Sequence, residues 1–262
     1  MDQAHYHEPV MAGEVARLLA PVPAGEIVDA TFGGGGHTQA LLAACPQCSI
    51  LAIDRDPEAA QRVPEDPRLR FVAGNFGNLE DIVAAAGCPD ITGALFDLGV
   101  SSRQLAAAER GFSYRRSGPL DMRMGPDAGL TAADIVNEWP AAEIARVLFE
   151  YGEEPAARRI AAAIVRSRPL ATTTELADVV AAAVPAAGRR RRHPARRTFQ
   201  ALRIVVNDEL AAIGPGIDAA LRLLRPGGRI VVISYHSLED RIAKRRLAAA
   251  AGHGPDPFPP DL

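Results

Sequence analysis

Asp29-Ala-Thr-Phe-Gly-Gly-Gly-Gly-His37 is the stretch that decides the fold. It closes an apolar run that opens at Glu26-Ile-Val28 and feeds a helix-like segment, Thr38–Ala44. A strand that ends in glycines and leads into a helix is a ligand cradle. Glycine lets the backbone turn sharply and approach a ligand with no Cβ in the way, and the helix start offers free N–H groups. The dinucleotide spacing G-x-G-x-x-G fails, because Gly33-x-Gly35 leads on to Thr38 and Gly34-x-Gly36 to Gln39. What fits is Asp-x-x-x-Gly-x-Gly, from Asp29 through Gly33 to Gly35. An acid ahead of the glycines suits a ligand that carries an amino-acid ammonium and a sulfonium, which points to S-adenosylmethionine.

Outward from this turn, short apolar runs recur at Ile27–Phe32, Ile50–Ile53, Leu69–Val72, Ala94–Leu98 and Arg229–Ser234, the early ones separated by helical patterns such as Leu79–Ala86. Such alternation predicts an α/β protein with a parallel sheet and helices on both faces. Ligands of such sheets bind beyond the carboxyl ends of the strands. The second run ends in Ile53-Asp54-Arg55-Asp56, and Asp54 stands nineteen residues after Gly35. An acid there can accept hydrogen bonds from both hydroxyls of a ribose. NAD-binding proteins use the same device, so Asp54 argues for a nucleoside ligand without naming it.

Between the fourth and fifth runs the rhythm breaks. From about Ala106 to Thr198 only helical patterns are found: Glu143–Tyr151, Ala156–Arg166, and Leu176–Val184 opened by a capping box at Thr172-Thr-Thr-Glu175. This predicts a sheet domain made of residues 1–105 and 199–262 and an inserted all-helical domain at 106–198. Charge divides along the same line. The inserted stretch carries 15 arginines against 11 acids, while the remainder has 14 basic and 21 acidic residues. Six arginines fall within Arg189–Arg197. Such a run is a solvated loop or a phosphate-binding strip; beside a methyl-donor cleft the strip is the better expectation.

At 262 residues the chain can bury a full core in one large domain or two unequal ones. It has no apolar run of bilayer-spanning length and no signal-peptide pattern, so a cytoplasmic protein with no membrane partner is expected. Of its 29 basic residues only Lys244 is lysine, a bias of genome composition more than of chemistry. Cys45-Pro-Gln-Cys48 has redox or zinc spacing, but the third cysteine, Cys88, has no pair-mate to complete a tetrahedral site. No metal is expected.

His7-Glu-Pro-Val10, Asp29–His37, Ala52–Asp56, Phe96-Asp-Leu-Gly-Val-Ser-Ser102, Arg110-Gly-Phe-Ser113, Gly118–Met124, Tyr151-Gly-Glu-Glu154, His193–Ala201 and Ser234-Tyr-His-Ser-Leu-Glu-Asp-Arg241 follow one another along nearly the whole chain. Together they resemble the MraW/RsmH family, bacterial methyltransferases of the exocyclic N4 of a decoding-site cytosine (the C1402-type position) in small-subunit 16S rRNA. The resemblance implies a Rossmann-like class I methyltransferase sheet with S-adenosyl-L-methionine as donor, and the small ribosomal subunit or its 16S rRNA as partner. The inserted helical domain would recognise the RNA. A homodimer is one expectation for the oligomeric state.

By the same resemblance Gly35, Gly36 and His37 meet the methionine part of the donor, Asp54 the ribose and Phe76 the adenine, with Asp97 and Gln104 making the contacts after the fourth strand. Phe76 as core and Gln104 as an exposed helix residue stay open as alternatives. Asp97 is a candidate catalytic acceptor for the amino group, competing with a purely donor-binding role. His236 is a second catalytic candidate, competing with a structural one. Amino methyltransferases commonly follow the acceptor with prolines and an aromatic, whereas Asp97 is followed by Leu-Gly-Val. Family members also continue past the Ser-Leu-Glu-Asp-Arg motif into a last pair of strands. Here four prolines fall in the last eight residues, so those strands are expected to be absent and the fifth strand to form an exposed sheet edge. A methyltransferase of small molecules or proteins, and an RNA-binding assembly factor without catalysis, are the competing readings.

Overall fold

The computed structural model describes residues 9–184 and 193–253. It divides into two units, one running to Gly99 and resuming at Leu210, the other comprising Val100–Glu209. In the first, β1 (Gly25–Asp29), β2 (Cys48–Asp54), β3 (Leu69–Ala73), β4 (Ile91–Asp97) and β5 (Leu224–Ile233) form one sheet. Their order is β3-β2-β1-β4-β5 and every pairing is parallel. This is a doubly wound, Rossmann-like sheet. Strand order reverses between β1 and β4, and the carboxyl ends of those two strands are where sheets of this kind bind ligands.

Side chains of β1 alternate between the two faces, as its pleat requires. Ile27 packs with Val15 and Leu19 of α1 (Ala12–Leu19) and Leu41 of α2 (Gly36–Ala44). Val28 packs on the other side with Leu79 and Val83 of α3 (Leu79–Ala85). Cys45 and Cys48 are buried among the first set and Cys88 among the second, all as free thiols.

The second unit holds α4 (Ser102–Ala106), α5 (Ala132–Glu138), α6 (Ala141–Glu150), α7 (Ala157–Arg166), α8 (Thr173–Ala183) and α9 (Arg196–Asn207). Thr172 and Glu175 cap α8 reciprocally, and Thr131 with Asp134 does the same for α5. The unit is wider than residues 106–198, because Phe199, Leu202 and Val206 of α9 pack into the helical core with Ile144, Leu148 and Ile160. The chain then returns to the sheet unit through α10 (Glu209–Leu223), and α11 (Ser237–Ala250) follows β5.

β5 begins five residues before the run Arg229–Ser234 foreseen from sequence. Arg225-Pro-Gly-Gly228 reads as a turn, yet it lies within the strand, where the β4 pairing shifts register between Ile91 and Gly93. An irregular edge strand tolerates proline and glycine where a central one does not. Among the described residues β5 pairs on one side alone. The arginines Arg189–Arg192, the motif start at His7 and the proline-rich end lie outside the described residues.

Candidate functional site

Three carboxylates end three neighbouring strands: Asp54 on β2, Asp29 on β1 and Asp97 on β4. The glycine turn lies above them. Phe32 N–H donates to the Ile53 carbonyl at 2.9 Å, tying the turn to β2, and Gly35 N–H donates back to the Phe32 carbonyl at 2.8 Å. Gly35 has φ +78°, and a Cβ there would lie 2.8 Å from the Phe32 ring. Glycine is required on both counts. Gly36 and His37 then open α2.

Asp54 accepts from Gly33 N–H at 2.6 Å on one oxygen and from Asp56 N–H at 2.8 Å on the other. Each oxygen keeps a further lone pair, so the carboxylate can still receive a pair of hydroxyls. Burial raises its pKa despite those two bonds. Phe76 stands partly buried beyond the end of β3, edge-on to Phe96 at 5.6 Å. Gly216 of α10 makes room for it, since a Cβ there would lie 2.8 Å from the Phe76 ring and 2.9 Å from its carbonyl. Phe76 is thus part of the core edge.

Asp29 departs from its expected role. It is fully buried, with one oxygen accepting from Thr38 Oγ1 at 2.6 Å and the other from Thr31 N–H at 3.3 Å. The carboxylate braces the turn from inside and does not face outward toward an ammonium group. Burial lifts its pKa to about 6. Thr31 in turn accepts Asp97 N–H on its hydroxyl at 2.7 Å, linking the ends of β1 and β4. Neither threonine was singled out in the sequence, although both flank the glycines.

Asp97 gathers the rest of the site. Its Oδ2 lies 3.4 Å from His37 Nε2, within ion-pairing range though not aligned as a hydrogen bond. His37 is 4 % exposed, and neither ring nitrogen finds a hydrogen-bond partner in the described protein. Asp97 Oδ1 accepts the hydroxyl of Tyr235 at 2.9 Å. Burial, and then the charge of Asp97, push that phenol well above its ordinary pKa, so it stays protonated and donates.

His236 has a different occupation. It is the N-cap of α11, its Nδ1 accepting Glu239 N–H at 3.4 Å while Nε2 lies 3.0 Å from the buried Glu239 carboxylate. The residue beside Asp97 is its neighbour Tyr235, which the sequence reading passed over. Both residues lie past the end of β5 at Ile233, in the bend that leads into α11, and that bend turns Tyr235 toward Asp97 while His236 caps the helix. Gln104 falls in the helical unit and is 9 % exposed, completing a capping box with Ser101 at the start of α4.

Among the described residues no group of three potential metal ligands exists, and no helix is long and apolar enough to cross a membrane. The MraW methylase family model matches residues 4–260. The ribosomal RNA small subunit methyltransferase H of Symbiobacterium thermophilum is 48 % identical over 269 residues, covering 99 % of this chain and 84 % of that protein. The protein of the same name from Acidiphilium cryptum is 51 % identical over 257 residues, covering 94 % and 80 %. A solved rRNA methylase from Streptococcus thermophilus shares 20 % identity over 44 % of this chain and 70 % of its own, with a TM-score of 0.27, too low to bear on the fold.

Proposed function

Because this chain belongs to the MraW methylase family, we propose that it transfers a methyl group from S-adenosyl-L-methionine to the exocyclic N4 of a decoding-centre cytosine of 16S rRNA, the C1402-type position. The curated relatives, rRNA small subunit methyltransferases by name, support the RNA substrate. The observation that carries the chemistry is the Asp97 carboxylate at the sheet's switch point, held by the Tyr235 hydroxyl and within 3.4 Å of His37.

The residues fit such a donor. Gly35 makes a left-handed turn against the Phe32 ring that only glycine allows, Asp54 has lone pairs to spare for a ribose, and Phe76 offers an apolar wall. When bound, the sulfonium supplies an already activated methyl group. The chain's task is then alignment and electrostatics. The amino nitrogen of cytosine is a poor nucleophile, its lone pair delocalised into the ring. A carboxylate that accepts a hydrogen bond from the amino group favours its pyramidalisation and stabilises the positive charge that develops there. Asp97 occupies that role and takes the proton the nitrogen releases. The base must be unstacked to present this edge. Exposed arginines of the helical unit, Arg115 and Arg197 among them, provide phosphate contacts, and the run Arg189–Arg192 extends that basic character. In this reading the cytoplasm is where such a substrate is met.

The test is direct. The protein is incubated with methyl-labelled donor and small ribosomal subunits lacking the modification, the RNA is digested, and the labelled nucleotide is mapped. One label on the N4 of a single cytosine is expected. Label on a ring carbon or on another base would overturn the assignment.

A further inference from the structure

Tyr235 is held at two points and yet remains 47 % exposed. Its backbone N–H donates to Glu239 Oε2 at 2.8 Å, and Glu239 is itself 1 % exposed at the start of α11. Its hydroxyl donates to Asp97 at 2.9 Å. The strand register carries both residues to the same edge, since Asp97 pairs with Ile233 and Leu98 N–H donates to the Ile233 carbonyl at 3.0 Å. A tyrosine pinned at its backbone and at its hydroxyl has little freedom left in its ring. An aromatic face presented to solvent in a fixed orientation adds little to the fold, because its apolar surface stays wet.

That face lies beside the carboxylate that accepts the amino group in the function proposed above. The segment after Asp97, Leu98-Gly-Val-Ser-Ser102, offers no aromatic of its own. A pyrimidine is planar, and base-on-aromatic stacking is a common way to hold an unstacked nucleotide. A base resting on the Tyr235 ring would point its edge toward the group to which the phenol is bonded. We infer that Tyr235 is the surface on which the acceptor base rests, with its hydroxyl aiming the Asp97 carboxylate at the base's amino group. The aromatic contact that the β4 end lacks is thereby provided from the end of β5. This inference rests on the proposed methyl transfer to a base.

The test compares Tyr235→Leu, Tyr235→Phe and Tyr235→Trp in the full chain, with labelled donor and unmodified small-subunit RNA. Tyr235→Leu removes the ring and is expected to raise the KM for RNA about tenfold or more, the scale of one lost stacking contact. Tyr235→Trp restores a flat face and should keep KM within about threefold of wild type. Tyr235→Phe keeps the ring but frees Asp97, so KM should hold while saturated turnover falls. Donor affinity, read by calorimetry, should be unchanged throughout, which also reports that each variant is folded. A wild-type KM for Tyr235→Leu would overturn the inference, as would an equal rise in KM for Tyr235→Phe. Weakened donor binding in all three would move Tyr235 to the donor's side and overturn it as well. Direct titration of the same RNA against wild type and Tyr235→Leu tests the ring independently of turnover. Failure of the wild type to methylate a cytosine N4 would sink the function instead.

Discussion

At the carboxyl edge of the sheet unit, acids are drawn inward: Asp29 is fully buried, Glu239 nearly so, and Asp54 and Asp97 are partly covered. In the helical unit, acids such as Asp134 and Glu175 stay near the surface and cap helices, which lowers their pKa values through hydrogen bonds. The first arrangement is costly, because burial disfavours the charged form and raises the pKa of Asp29 and Asp54. The second stabilises local structure and leaves arginines in solvent. Helices can be held together by caps and an apolar core alone. A site that must orient a reacting group needs fixed charges in a desolvated place. In the proposed function the contrast separates the part of the molecule that does the chemistry from the part that presents a surface to RNA.

The largest effect that would sharpen this contrast lies in the helical unit's own buried polar group. Asn207 is 1 % exposed, accepting Met124 N–H at 2.7 Å and donating to the Met122 carbonyl at 2.7 Å, where Met122 has φ 63°. Asn207→Leu strands both backbone groups and should cost about 3 kcal/mol or more in urea unfolding. Donor affinity should not change. If both fall together, the two units are not separable in function.

Asp29 comes next. Its folded pKa of about 6 exceeds the unfolded value near 3.8, so the native state binds more protons between them. The group therefore favours the folded state at low pH, and stability falls as pH rises from about 4 to 6. Asp29→Asn should remove that slope and gain up to about 3 kcal/mol near pH 7. Denaturation followed across this pH range decides the matter, and an unaltered slope would refute the burial assignment.

Asp97→Asn keeps the shape and one acceptor oxygen but loses the charge. Saturated turnover should fall by about 10², the scale of one lost electrostatic contact, with donor affinity nearly intact. A drop in affinity with recovered turnover would instead place Asp97 wholly on the donor's side. Asp54→Ala should do the converse, weakening donor binding at least about tenfold, or 1.4 kcal/mol, by calorimetry. The smallest effect belongs to the helical unit's surface. Replacing Arg196 and Arg197 by glutamine should flatten the salt dependence of RNA binding by up to about 0.7 per lost phosphate contact on a single strand. An unchanged slope would leave Arg196 and Arg197 as solvated charges at the start of α9.

The sheet was legible from the chain because buried parallel strands read as short apolar runs, and Gly35 announced itself because no other residue suits its backbone. Helix starts were legible too: Thr172 and Glu175 cap α8 through neighbours only three residues apart. Boundaries were less so. β5 hid its first half behind Pro226 and Gly227, and the expected boundary at residue 198 falls inside α9, whose sequence does not say which core it joins.

The sequence by itself determined the strand-glycine-helix cradle, the acids that end β2 and β4, and the helical insertion, all of which depend on residue type and short-range spacing. Only the tertiary structure decided that Asp29 turns inward onto Thr31 and Thr38, that Tyr235 rather than His236 meets Asp97, and that Gly216 makes room for Phe76. Those pairings join residues up to 140 positions apart, as Phe76 and Gly216 do. They are set by strand order and register, which bring distant strand ends to one edge, and by the bend after β5, which turns Tyr235 toward Asp97 and leaves His236 to cap α11.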